Sequence, residues 1–213
     1  MKVTELTREI SVKEIDIDHY TKLAIEDDNI RDEIIRQMIT NPDIMVYYHC
    51  YYVADKASFE RPELFYPYWP EIAPLLQHAN SYHRDFALTI LANLTKVDQD
   101  NLFSKLFDGY FEHLNDTKFM TSLCCVRNSL KIIRNKPELR ETILALLLDV
   151  NQRCTFPEKQ VALMKFDILV IVDSVYAETR DKESLQAFIK AGIHSISPKT
   201  RRKAKDLVKK YNL

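Results

Sequence analysis

The sequence predicts an all-α fold built from repeated pairs of helices. Three observations support this prediction. Glycine occurs only twice, although β-hairpins and phosphate-binding loops use glycine wherever the backbone needs a positive φ. Prolines, most of them followed by an acidic residue, mark helix starts along the chain. Apolar residues at helical spacing recur with a period near 40 residues.

The composition indicates one globular domain, 1–213. Its 213 residues, 46% hydrophobic and 29% charged, are enough to form a core without metal or disulfide cross-links. The formal net charge of -1 gives no general preference for nucleic acid or for acidic partners, so any such preference must come from local patches.

The cysteines indicate a reducing compartment. Cys50, Cys124, Cys125 and Cys154 form no CxxC pair, and buried free thiols are the usual interpretation of such a set. No segment has the ~20 consecutive apolar residues that span a bilayer. We therefore expect a cytoplasmic protein with no membrane partner.

Six prolines are predicted to lie in the first turn of a helix, where a missing N–H costs nothing. These six are Pro42, Pro62, Pro70, Pro137, Pro157 and Pro198.

Four helices can be aligned with one another: 83–94, 119–130, 159–170 and 200–211, at offsets of 36, 40 and 41 residues. The alignment produces three apolar columns on one helical face. The columns are Ala87, Leu123, Leu163, Ala204; Ile90, Val126, Phe166, Leu207; and Leu94, Leu130, Val170, Tyr211. If these columns are core, replacing Ile90 or Phe166 by alanine should cost ~2–5 kcal/mol.

A second helix between successive first helices aligns as well. Its columns are Leu102, Leu139, Leu185; Leu106, Ile143, Ile189; and Gly109, Leu146, Gly192. Both glycines thus share one mid-helix position, where their cost of up to ~1 kcal/mol relative to alanine predicts close approach of another helix. Two helices per unit and this period are typical of a helical solenoid.

The stretch WPEIAPLLQHANSYHRDFALTILANL (69–94) resembles a HEAT repeat: a first helix, a short polar turn, then Arg84 near the start of a helix that carries Ala87 and Leu91. The stretch SISPKTRRKAKDLVKKY (195–211) resembles the opening helix of the same repeat. Met120 and Gln160 stand where Arg84 does, so the middle units depart from the pattern. The resemblance implies a right-handed α-α superhelix of about five helix pairs, with an N-terminal helical extension (1–40), HEAT-like repeats (41–196) and a C-terminal capping helix (197–213).

Counting back 37 residues from the second repeat places Cys50, Val53 and Ala57 on a buried face. The stretch MVYYHCYYVADKA (45–57) is therefore predicted to be a repeat helix. Residues 8–17 alternate apolar and polar, which fits either an extended arm or a lead-in to the helices.

No constellation for catalysis or for a cofactor emerges. The chain lacks HExxH and any His-Glu pair, so the di-iron arrangement of HEAT-type hydroxylases is not supported. His49, Cys50, His78 and His83 match no zinc framework, and we expect neither metal nor cofactor.

Basic residues form two groups: Arg127, Lys131 and Arg134 on one predicted helix, and Arg201, Arg202 and Lys205 near the end. HEAT-like repeats also occur in DNA alkylation-repair glycosylases, which need a cationic concave surface. The helices expected to line that side are acidic or mixed, so nucleic-acid binding is the alternative rather than the leading hypothesis. The terminal group is also explained as a solvated cap.

Aromatic residues concentrate between positions 47 and 86. Tyrosine and tryptophan are common in binding hot spots because they bury much area at a small entropic cost; the alternative is that the rings pack onto the N-terminal helices. The predicted function is a non-catalytic scaffold or adaptor that binds a protein or peptide. The candidate residues are Tyr47, Tyr48, Tyr51, Tyr52, Tyr66, Tyr68 and Trp69.

Overall fold

A computed structural model of the chain describes residues 5–213. Within this range 81% of the residues are helical and there is no strand, which confirms the all-α prediction. The α-helices are α1 (Glu5–Ile10), α2 (Ile17–Glu26), α3 (Asp28–Thr40), α4 (Ile44–Glu60), α5 (Pro62–Phe65), α6 (Trp69–Ile72), α7 (Ser81–Leu94), α8 (Leu102–Phe111), α9 (Phe119–Asn135), α10 (Arg140–Leu148), α11 (Val150–Arg153), α12 (Glu158–Val175), α13 (Lys182–Gly192) and α14 (Pro198–Tyr211). Short 3-10 helices cover Tyr66–Tyr68, Ala73–Gln77, Thr95–Val97, Glu112–Asn115 and Pro137–Leu139.

Helix starts follow the prolines closely. Pro62, Pro70 and Pro198 lie in the first turn of α5, α6 and α14, and Pro137 opens the 3-10 turn that leads into α10. The other two predicted starts are early by one or two residues. Pro157 is itself the N-cap of α12. After Pro42, Asp43 is the N-cap of α4. Its carboxylate accepts a hydrogen bond from the Met45 amide and so satisfies an unpaired first-turn N–H.

Residues 8–17 form the end of one helix, a turn and the start of the next helix rather than an extended arm. Residues 8–10 end α1, residues 11–14 form turns and bends, and α2 and α3 follow. Asp27 ends α2 through its backbone N–H, which donates to the Leu23 carbonyl. Its side chain starts α3, since it accepts hydrogen bonds from the amides of Asn29 and Ile30.

Two compact units divide the chain: unit 1 ends at Lys105, and unit 2 is Leu106–Leu213. In unit 1, α4 packs against α2, α3 and α7. Its predicted core face is confirmed, because Cys50, Val53 and Ala57 are completely buried.

Unit 2 is organised around α12, which packs against α9, α13 and α14. Its core contains Ile132, Ile143, Ile168, Ile189 and Leu207, all 0–1% exposed. The predicted terminal helix is present as α14, and its basic face lies opposite the buried Ala204 and Leu207.

The four aligned segments correspond to α7, α9, α12 and α14, and the predicted apolar columns are confirmed in three of them. Every column residue of α7, α9 and α14 is buried or half-buried. In α12 the register is wrong: Leu163 and Val170 are 47% and 36% exposed, and Phe166 is only half-buried. Ala162 and Leu169, one residue earlier, occupy the interior instead.

The error in α12 has a simple cause. This helix buries apolar residues on more than one side, so spacing alone fits two registers. Its buried residues are Val161, Ala162, Met164, Ile168, Leu169, Ile171, Val172 and Val175.

The two glycines differ in their surroundings. A Cβ built on Gly192 would lie 2.9 Å from the Cβ of Ala204 in α14, which confirms the predicted close approach of a helix. For Gly109 the same prediction is wrong, because no described atom would lie within 4 Å of its Cβ.

Side-chain hydrogen bonds between neighbouring elements recur at the predicted period. In unit 1 the amide of Asn93 donates to the carboxylate of Asp55, 38 positions earlier, at 3.0 Å. In unit 2 Thr155 donates to Asn115, 40 positions earlier, at 3.1 Å. Further pairs at separations of 38–40 are Tyr51–Thr89, Arg127–Asp167, Arg140–Glu178, Arg180–Glu141 and Thr200–Ala162.

Three arginines make the same connection near the start of a helix. Arg31, Arg84 and Arg201 each donate from Nη1 to two consecutive backbone carbonyls that lie five to seven positions earlier. These carbonyls belong to Ala24 and Ile25, His78 and Ala79, and Ser195 and Ile196. Each guanidinium therefore satisfies the carbonyls of the turn that precedes its helix.

Candidate protein-binding surface

Helix α4 leaves one stripe of its surface uncovered. Helices α2, α3 and α7 pack against α4, and the apolar or aromatic side chains that stay at least partly exposed include four that follow one another at three, four and seven residues. Met45, Tyr48, Tyr52 and Phe59 occupy these positions, and Tyr52 and Phe59 are 47% and 61% exposed. We call these four residues the α4 stripe.

Tyr82 of α7 extends the stripe sideways. Its ring meets that of Tyr48 edge to face, with centroids 5.0 Å apart, and Tyr48 in turn contacts Tyr52 at 5.5 Å. Edge-to-face pairs of this kind hold aromatic rings in fixed orientations. The two helices thus present a preformed aromatic surface.

The polar groups of this surface are available for further contacts. Within the described residues, the hydroxyls of Tyr48, Tyr52 and Tyr82 have no hydrogen-bond partner. Burial, followed by the charges of Tyr52, Tyr82 and Asp85, raises the pKa of Tyr48 to about 12. The Tyr48 phenol therefore remains a neutral donor at physiological pH.

Two of the seven aromatic candidates lie in the interior. Tyr47 and Trp69 are buried; Tyr47 packs against His83 and Phe86, with ring centroids 5.1 and 5.9 Å away. Neither side chain can supply an exposed contact, so both leave the candidate surface.

Three more candidates are engaged in packing. Tyr51 stacks on Phe86 at 4.2 Å and donates to Thr89 at 3.2 Å. Tyr66 donates to Asp98 at 2.9 Å, and Tyr68 donates to Asp32. Burial first, and then the neighbouring carboxylate, raises the pKa of Tyr66 and of Tyr68 to about 12.

Sequence reasoning missed Met45, Phe59 and Tyr82. The aromatic concentration between positions 47 and 86 includes Phe59 and Tyr82, but only tyrosine and tryptophan residues up to position 69 were candidates, whereas the stripe is defined by spacing along α4. Had the residues 45, 48, 52 and 59 been placed on a helical wheel, they would have shared one face.

The basic candidates are partly used by the fold of unit 2. Arg127 forms an ion pair with Asp167 at 3.1 Å, and Lys131 is half-buried. Arg201 is the guanidinium that bridges the turn before α14. Arg134, Arg202 and Lys205 are exposed.

Two lysines of α14, seven positions apart, bind a half-buried aspartate. Lys203 and Lys210 each contact the Asp173 carboxylate at 2.7 Å, and the Tyr211 hydroxyl donates to it at 2.8 Å. Burial alone would raise the pKa of Asp173, but these hydrogen bonds outweigh it and lower the pKa to about 2. Part of the basic terminal helix therefore holds α14 onto α12.

The histidine and cysteine candidates are separated by their packing. His49 places Nδ1 2.7 Å from the carbonyl oxygen of Ile10, and Cys50 is fully buried with its pKa raised by burial to about 12. His83 stacks on His78 at 4.2 Å, and burial, then the His78 charge, lowers the pKa of His83. Across residues 5–213 no group of three or more His, Cys, Asp and Glu side chains is arranged to hold a metal ion.

Comparison of the chain with protein-family models, with curated proteins and with solved structures gives no match. None of the helices in the described range is both long and apolar enough to cross a membrane.

Proposed function

We propose that the chain is a HEAT-like helical-repeat scaffold that binds a protein or peptide partner through the α4 stripe and Tyr82. The observation that carries the proposal is that three exposed side chains and the half-buried Tyr48 share one face of α4, next to the exposed Tyr82. Clustered tyrosines with unbonded hydroxyls can contribute both apolar area and hydrogen bonds to an interface.

The repeat architecture is supported by two independent sets of contacts. The hydrogen bonds at separations of 38–40 residues join neighbouring elements along the chain, which is consistent with the nearest-neighbour packing of a solenoid. The arginine bridges of Arg84 and Arg201 lie 117 positions apart, three times 39. We propose a right-handed superhelix of about five such pairs, acting in the cytoplasm without catalysis.

The partner segment should carry basic and apolar side chains. Tyrosine ring faces attract Lys and Arg through cation–π contact, and the exposed Tyr52 and Phe59 offer apolar area beside them. A lysine or arginine flanked by apolar residues would satisfy both features of the surface.

Photo-crosslinking in the native cells tests this proposal. A benzophenone amino acid is placed at position 52 and, as a control, at the exposed position 120 of α9. We expect one discrete protein adduct from position 52 and not from position 120. The identified partner is then purified and its affinity measured.

Substitution gives the quantitative test. Because two exposed hot-spot rings are removed, Tyr52→Ala/Tyr82→Ala should weaken binding of the purified partner by about 10-fold or more. Met120→Ala/Leu163→Ala, which removes two exposed apolar side chains of unit 2, should leave the affinity unchanged. Equal affinity of the tyrosine double variant and the wild type would refute the proposal.

The nucleic-acid alternative, including a glycosylase-like activity, rests on Arg134, Arg202 and Lys205. Labelled duplex and single-stranded DNA at low salt test it: binding that weakens with added salt and in Arg202→Ala/Lys205→Ala would support it. Absence of binding at low salt would exclude this alternative.

A further inference from the structure

A cavity of about 400 Å³ lies in unit 2, between α12, α13 and the loop that follows α13. Its apolar wall includes Val161, Leu169 and Phe188, with Phe156 and Ile196 at other points of the lining. The lining also contains polar side chains, among them Asn151, Glu158 and His194, and a cleft of this size is large enough for a small molecule.

One cation, the Lys165 ammonium, belongs to the lining. Lys165 is half-buried and, among the described residues, forms neither a hydrogen bond nor an ion pair. Other lysines of unit 2 are engaged: Lys203 and Lys210 bind Asp173, and Lys199 sits 3.7 Å above the Phe166 ring centroid. Burial lowers the pKa of Lys165, against a smaller opposite effect of Glu158.

The Lys165 ammonium is partly desolvated, and this partial desolvation has a cost that no protein acceptor offsets. A ligand that brings a carboxylate into the cavity would remove this cost. The apolar wall would simultaneously bury the remainder of such a ligand.

Two other polar side chains of the lining, Glu158 and Cys154, narrow the class of ligand. Glu158 also lines the cavity, so a second negative charge on the ligand would be repelled. The Cys154 thiol does not offer a nucleophile, since it donates to the carbonyl of Leu114 at 3.1 Å and burial raises its pKa.

We infer that this cavity binds a small monocarboxylate with an apolar body, whose carboxylate pairs with the Lys165 ammonium and whose body packs against Leu169 and Phe188. The site lies wholly in unit 2 and involves no residue of the α4 stripe, so it is independent of the proposed partner surface.

Titration calorimetry with octanoate on the full chain tests the inference, with octanol as the uncharged analogue. We expect saturable octanoate binding. Octanol should bind at least about 10-fold more weakly, because it cannot form the charge-assisted bond. Lys165→Met, which removes the charge and keeps most of the length of the side chain, should weaken octanoate binding by about 10-fold or more. Lys190→Met, an exposed lysine of α13 outside the lining, should not change it.

A second variant separates loss of the site from loss of the fold. Ala191→Phe adds a ring at an exposed lining position and should block octanoate while melting as the wild type does. Absence of saturable octanoate binding, or equal affinity in Lys165→Met and the wild type, would overturn the inference.

Discussion

Single charged residues fix the ends of the packed elements in this protein. The Asp173 carboxylate accepts hydrogen bonds from three donors, and all three belong to α14. The three arginine bridges act in a similar way at the turns before α3, α7 and α14. At the residue scale, several charges therefore serve the fold, which reduces the number left for a partner.

The Asp173 cluster leads to a stability prediction. Its folded pKa of about 2 lies below the usual 3.8, so the ionised form is stabilised by folding. This contribution is fully present above pH ~4 and is lost as the pH falls toward ~2. Asp173→Asn should therefore lower the free energy of unfolding at pH 7 by about 1–2 kcal/mol, measured by urea denaturation, and the deficit should shrink as the pH falls through that window.

Asp206→Asn is the matched control, because Asp206 lies exposed on α14 and forms no ion pair among the described residues. It should change stability by less than ~0.5 kcal/mol at either pH. A deficit of Asp173→Asn that stayed constant down to pH 2 would show that its carboxylate is not the stabilising group.

At the element scale, the two glycines of the chain offer a paired test of helix packing. Gly192→Ala should destabilise by about 1–3 kcal/mol, since its new Cβ would meet the Ala204 Cβ at 2.9 Å and overpacking outweighs the gain in helix propensity. Gly109→Ala has open space around its Cβ, so it should stabilise by up to ~1 kcal/mol. Thermal and urea unfolding measure both; the same sign for both variants would contradict this account.

Helix starts were predictable from the sequence because proline acts locally. Its fixed φ and missing N–H favour the first helical turn in any tertiary surrounding, and the structure has helices beginning at or just after each of the six. The face of a helix is a different matter. The α7 columns were predicted correctly, whereas the α12 register failed because residues 161–175 are apolar on several sides and only the neighbouring helices decide which are buried.

The candidate surface was predictable only in part for the same reason. Aromatic composition located Tyr48 and Tyr52, but whether a ring faces solvent depends on what covers it. Trp69 and Tyr47 are covered, and Tyr82 joins the stripe through a contact between α4 and α7 that no local pattern contains. The Lys165 cavity likewise depends on residues brought together from α12, α13 and the loop after them.

At the scale of the whole molecule, each compact unit contains a thiol that is completely buried: Cys50 in unit 1 and Cys125 in unit 2. Burial raises the pKa of Cys50 to about 12 and that of Cys125 well above its ordinary value. A thiol reacts as an exposed thiolate, so labelling at either position requires the surrounding helices to separate. Chains that retain only one of these cysteines would therefore report the opening of each unit individually.

We expect both single-cysteine chains to react with a disulfide reagent at pH 8 at least about 1000-fold more slowly than the unfolded chain, as opening free energies above ~4 kcal/mol require. Ile90 is fully buried in α7, which packs on α4, so Ile90→Ala should destabilise unit 1 by ~2–5 kcal/mol and accelerate Cys50 labelling about 30-fold or more. Leu163→Ala removes an exposed side chain and should leave Cys125 labelling within a few-fold of its original rate. If Ile90→Ala did not accelerate Cys50, that thiol would be reached by a local motion that leaves the contact of α4 with α7 intact.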